Sequence, residues 1–145
     1  MDLGRLRAGE WIVAVSGAAL LASLFLPWYE PEASGWEALS AGDVIIALVA
    51  AAALALSLIT ATQRVPAVPI SFEAVMVLLG FVAAVLVLVR TIWLPGTAAE
   101  RDWGLWLALA GALGIVAGSW IGIRDEREGR PSPRSEVETI PAPRP

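Results

Sequence analysis

Four long apolar runs, set apart by short stretches that gather the charged and proline residues, constrain this chain more than any other feature. They cover Trp11 to Leu26, Val44 to Ala61, Ile70 to Val89 and Trp103 to Ile123, and the first reaches Tyr29 when its aromatic boundary is counted. The third is interrupted by Glu73 near its start, and the fourth carries no charge. A helix rises 1.5 Å per residue and a bilayer core is about 30 Å thick, so each run predicts a transmembrane helix. Composition agrees, with 57% hydrophobic and 17% charged residues against roughly 45–50% and about 25% in soluble domains. The expected fold class is all-α: an integral membrane four-helix bundle over residues 1–124, with spans near 11–29, 44–61, 70–89 and 103–123.

Arginine placement predicts the orientation, because cytoplasmic segments retain positive charge. With the N-terminus inside, the inner segments hold Arg5, Arg7, Arg64, Arg124, Arg127, Arg130, Arg134 and Arg144, and the outer loops hold only Arg90 and Arg101. The acidic loop from Pro27 to Asp43 then lies outside, and both termini are cytoplasmic at a bacterial plasma membrane. The first run reads as a span and not as a cleaved leader: it is long for a leader, and Leu26-Pro27-Trp28-Tyr29 offers no small-x-small cleavage site.

The connections are short. Pro66 and Pro69 in the inner loop make spans two and three antiparallel neighbours. In the outer loop, Ser34-Gly35-Trp36-Glu37 fits a capping box for a short interfacial helix running to about Ser40. Residues 125–145 turn charged and then proline-rich, which predicts a disordered cytoplasmic tail. A faint echo links the halves: Leu26-Pro27 precedes Trp36 much as Leu94-Pro95 precedes Trp103, as two like-oriented hairpins would.

The chemistry within reach is narrow. The chain has no His and no Cys, which removes thiolate chemistry, disulfides, the usual zinc ligands and the side chain that titrates near neutral pH. No catalytic, cofactor or metal residues stand out, so the expectation is a protein that is not an enzyme and has no cofactor. A net charge of -4 without a basic stripe excludes nucleic acid as a partner. The lipid bilayer remains, together with a second copy or a larger membrane protein.

Three sets of residues are candidates for function. Small residues recur four apart in every span: Ala14, Ala18 and Ala22; Ala47, Ala51 and Ala55; Gly80 and Ala84; Ala110, Gly114, Gly118 and Gly122. Such faces let helix backbones approach in lipid, and Gly114, Gly118 and Gly122 are the strongest case, either inside the bundle or as a homodimer seam. Glu73, an ionisable residue inside a span, is a candidate intramembrane carboxylate, although it lies one turn from the inner end, where an anchoring role beside Arg64 also fits. Trp28, Tyr29, Trp36, Trp103 and Trp106 crowd the outer face beside Glu30, Glu32, Glu37 and Asp43, where aromatic rings form an interfacial belt or hold a cation, a sugar or a partner helix. A transporter of the small multidrug resistance type is rejected, because span one has no midplane carboxylate.

The words Glu10-Trp11, Ser23-Leu24-Phe25-Leu26-Pro27-Trp28-Tyr29, Gly35-Trp36-Glu37-Ala38-Leu39 and Asp43 resemble small four-span membrane proteins of high-GC actinobacteria, a family without an assigned activity. The resemblance implies an architecture and no functional residues. The expected function is therefore a non-enzymatic structural or accessory membrane protein packing through small-residue helix faces. The alternative is a small transporter or channel built from two parallel helical hairpins.

Overall fold

The computed structural model describes residues 7–30, 33–34, 36, 41–62, 70–93 and 100–127. Four helices, α1 (Ala8–Ser23), α2 (Ala41–Thr62), α3 (Ile70–Ile92) and α4 (Trp103–Arg127), make up its body, and one small hairpin, β1 (Pro27–Tyr29) with β2 (Ala33–Ser34), follows α1. Three helices are long and apolar enough to cross a membrane, over Gly42–Thr62, Glu73–Ile92 and Trp103–Asp125; α1 is a shorter apolar helix.

That length corrects the expectation for the first run, which was drawn through residue 29 on hydropathy. The α1 helix has 16 residues, about 24 Å at 1.5 Å each. Pro27 is the cause. Its ring nitrogen has no hydrogen for the Ser23 carbonyl four residues back, and a helix running through it would clash there. The orphaned carbonyl instead accepts the Trp28 indole N–H at 2.6 Å and the Leu26 amide at 3.2 Å, and the chain turns into β1. At the far end of the chain, α4 continues through Arg127, so residues 125–127 belong to a helix and not to the tail. Arg, Asp and Glu all tolerate a helix interior, and the first strong breakers, Gly129 and Pro131, come later. Residues 128–145 lie outside the described set, as do the inner-loop prolines and Leu94-Pro95.

Ser34, the expected cap of an interfacial helix, lies in the hairpin, and the residues expected to form that helix lie, Trp36 apart, outside the described set. Ser34 pairs antiparallel with Pro27, and Ala33 with Tyr29. Trp36 folds back, its amide donating to the Leu24 carbonyl at 2.9 Å and its ring stacking on Phe25 at 6.2 Å. Glu37 and the rest of that capping box are outside the described residues. The segment before α4 lies along β1 as well: Tyr29 bridges Arg101, and the Asp102 amide donates to the Trp28 carbonyl at 2.8 Å. Asp102 then opens α4, its Oδ1 accepting the Trp103 amide at 2.6 Å.

Helix α4 packs against α1 and α3, and α1 against α2, while α2 and α3 meet only loosely. Glycine makes the tightest seam. A Cβ on Gly118 would sit 2.8 Å from the Gly9 carbonyl oxygen, one on Gly9 would sit 2.7 Å from the Gly118 carbonyl oxygen, and one on Gly111 would meet the Ser16 carbonyl and Leu20 amide at 2.9 Å. Gly114 faces the Ser16 hydroxyl. The alanine stripes lie elsewhere: Ala18, Ala22, Ala51 and Ala55 are exposed, and the buried faces run through Val13, Gly17 and Leu20 in α1 and Ile46, Ala50 and Ala53 in α2. Four-residue steps drift about 40° each around a helix, so a stripe read from spacing alone does not reveal which side faces inward.

The two hairpins bury the same register. Val13, Gly17, Leu20 and Leu24 correspond at constant spacing to Met76, Gly80, Ala83 and Val87, and all eight are buried. Asp43, Ile46, Val49, Ala50, Ala53 and Ser57 correspond in the same way to Leu105, Ala108, Gly111, Ala112, Ile115 and Ser119, again all buried.

Candidate functional site

At the end of the molecule where α1 and α3 begin and α2 and α4 finish, a cavity of about 20 Å³ is lined by Gly9, Glu10, Val13, Leu56, Ser57, Thr60, Glu73, Gly118 and Ser119. That volume accommodates one water-sized guest. Each helix contributes a polar group for a local reason. Glu10 stands in the first turn of α1, where its Oε2 accepts the Arg7 amide at 2.8 Å and satisfies a donor the helix start would otherwise leave open. Glu73 stands in the first turn of α3, also at the positive end of a helix dipole. Gly122 gives it room, since a Cβ there would meet the Glu73 carboxylate at 2.5–3.0 Å.

The hydroxyls come from the other two helices. Ser57 donates to the Ala53 carbonyl at 2.9 Å and Thr60 to the Leu56 carbonyl at 3.0 Å, each one turn back along α2. Ser119 is 3% exposed, and its Oγ has no hydrogen-bond partner among the described residues. Both carboxylates, by contrast, are half-buried. A buried polar group without a partner is uncommon and calls for a reason. Every polar side-chain atom lining the cavity is an oxygen, and the apolar wall is Val13 and Leu56. Such a chamber holds a proton, a water or a small cation. No histidine or thiol stands beside a hydroxyl here to activate it as a nucleophile.

Of these residues, sequence reasoning singled out Glu73 as a candidate carboxylate, with Arg64 beside it, and Gly118 as a packing position; Arg64 lies outside the described residues. It missed Glu10, Ser57, Thr60 and Ser119 as partners. A signal was present: Glu10 and Glu73, Gly17 and Gly80, and Ser57 and Ser119 are identical pairs at the shared register of the two hairpins. Of the three glycines of the α4 stripe, Gly118 lines the cavity. Gly114 and Gly118 lie against α1, and Gly122 lies between Gly9 and Glu73, so the stripe is filled by the chain's own helices.

The aromatic set at the opposite end does not form one face. Trp28 and Tyr29 are each 1% exposed and belong to the core. The Tyr29 hydroxyl donates to the Arg90 carbonyl at 3.0 Å, tying β1 to the end of α3. Burial raises the Tyr29 pKa from its ordinary 10.0; Arg90 opposes this, Asp43 adds to it, and Arg101 opposes it more weakly. Asp43 is buried there and is not part of an outer acidic surface. Trp36, Trp103 and Trp106 are about half exposed, as interfacial rings are. Glu30 is exposed; Glu32 and Glu37 lie outside the described residues.

Comparison of the chain with protein-family models, with curated proteins and with solved structures gives no match.

Proposed function

We propose that the chain is a four-helix integral membrane protein of a bacterial plasma membrane, with both termini cytoplasmic, that acts without catalysis as a structural or accessory bundle. It would then be one of the small actinobacterial four-span proteins it resembles. In this reading α1 crosses together with the turn that follows it, and the hairpin lies at the outer boundary. The observation that carries the reading is the distribution of side chains. Leu20, Ile46, Ala50, Ala83, Ala112 and Ile115 are completely buried and fill the middle of the bundle. Val15, Leu48, Leu78, Phe81 and Leu113 are more than half exposed. An apolar exterior around a solid interior suits lipid and puts the working surface on the outside.

With the glycine seam occupied internally, the small residues left on that surface include two four-apart pairs, Ala18 and Ala22 in α1 and Ala51 and Ala55 in α2, which would admit a neighbouring helix closely. The test is the double substitution Ala18→Leu and Ala51→Leu in mild detergent. The reading expects a complex larger than the 15.3 kDa chain that falls to monomer while thermal stability is retained. A wild-type chain that is already monomeric, or a complex indifferent to the leucines, overturns it.

A second reading, a small transporter of two parallel hairpins, is favoured by one observation: the shared burial register places Glu10 with Ser57 and Glu73 with Ser119 around the same cavity. Ionisable residues inside membrane bundles commonly mark ion paths.

A further inference from the structure

We propose that the cavity between the helix ends is a binding site for a dehydrated small monovalent cation of the sodium class, ligated by the Glu10 and Glu73 carboxylates and the Ser57, Thr60 and Ser119 hydroxyls. The inference does not depend on whether the bundle transports anything. Ser119 carries it. A hydroxyl nine-tenths buried on α4, lining the cavity and lacking a hydrogen-bond partner among the described residues, is uncommon inside a packed protein unless a guest completes it.

The surroundings select a cation. The polar lining is oxygen throughout and includes two acidic side chains. Ser57 and Thr60 direct their protons to carbonyls of their own helix, so a guest meets them as acceptors. Among the described residues lining the cavity, an anion would face carboxylates and lone pairs with no side-chain nitrogen to receive it.

Size and ligand number select the class. Magnesium keeps several waters when bound, which a space of about 20 Å³ does not hold; calcium takes six to eight oxygens, which these five side chains supply only with a carboxylate binding through both of its oxygens, and the Glu10 Oε2 already accepts the Arg7 amide. Five oxygen-bearing side chains around a water-sized space suit a bare sodium-sized ion. The site also draws on all four helices, so occupancy would pin the loosely packed ends of α2 and α3 to the α1–α4 seam.

The test uses the full chain in detergent at fixed pH and constant ionic strength, exchanging choline chloride for sodium chloride and following thermal unfolding. The wild type should gain stability saturably with sodium, and more than with potassium. In choline, Ser119→Ala should be at least as stable as wild type, because it removes an unpartnered buried hydroxyl. In sodium the order should reverse, with the midpoint of stabilisation moved to a concentration roughly tenfold higher, a factor typical of one lost ligand. Glu73→Gln should lose the response. A sodium response matched by choline or potassium, or unchanged in Ser119→Ala, overturns the proposal and leaves a cavity that holds water. Stabilisation by calcium in place of sodium overturns it too. Ser119→Ala is nearly isosteric, so the comparison survives even if Glu73→Gln fails to fold.

Discussion

Tyr29 shows at the level of one residue how the hairpin end is held. Its ring is buried and its hydroxyl donates to Arg90 across the bundle, so Tyr29→Phe should cost about 0.5–1.5 kcal/mol, the usual net value of such a bond. The chain offers a clean test by titration, because it contains one Tyr, no Cys and, among its ten basic residues, no Lys. The folded pKa lies above the ordinary 10.0. The folded state therefore holds this proton more tightly, and its stabilisation is complete below pH 10 and is lost as pH rises through the folded value. Unfolding measured across that alkaline range should show the loss in wild type and not in Tyr29→Phe; a flat profile in wild type contradicts the assignment. Nothing in the sequence distinguished Tyr29 from Trp36 or Trp103 as aromatic residues at one boundary. The distinction comes from Pro27, which ends α1 and turns Trp28 and Tyr29 inward.

At the scale of elements, the glycine face of α4 was legible from spacing alone, and its partner was not. Gly114, Gly118 and Gly122 are four apart, but only the approach of Gly9 and Ser16 from α1 and of Glu73 from α3 gives that face its neighbours. The register also shows that the bundle is uneven. Where α4 has Gly118 against α1, the corresponding position of α2 is Leu56, and α2 and α3 meet only loosely. Gly118→Leu should accordingly destabilise by about 1–3 kcal/mol or more, because backbone from α1 stands where the side chain would go. Leu107→Ile, which keeps volume, should cost less than about 1.5 kcal/mol. Thermal unfolding in detergent should show the Gly118→Leu loss at every protein concentration, since the seam is within one chain. A loss confined to high concentration, with a shift from dimer to monomer, would contradict the packing described. The alanine stripes misled because alanine-rich spans generate that spacing on several sides at once.

For the whole molecule, hydropathy located all four helices and misjudged the first, since transfer free energy does not register a missing amide hydrogen at Pro27. The cavity was legible only as Glu73, because its other members come from three different helices and become neighbours through antiparallel packing. The account stands or falls on whether the short α1 takes the chain across the bilayer. The absence of native cysteine makes single-cysteine labelling of intact cells with a membrane-impermeant maleimide the most direct measurement, using Arg7→Cys before α1, Glu30→Cys in the hairpin and Thr62→Cys at the end of α2. Four spans with cytoplasmic termini predict that Glu30→Cys is labelled from outside, and that Arg7→Cys and Thr62→Cys are labelled only after the membrane is opened. Labelling of Arg7→Cys in intact cells, with Thr62→Cys still protected, would show that α1 does not cross and would contradict the account.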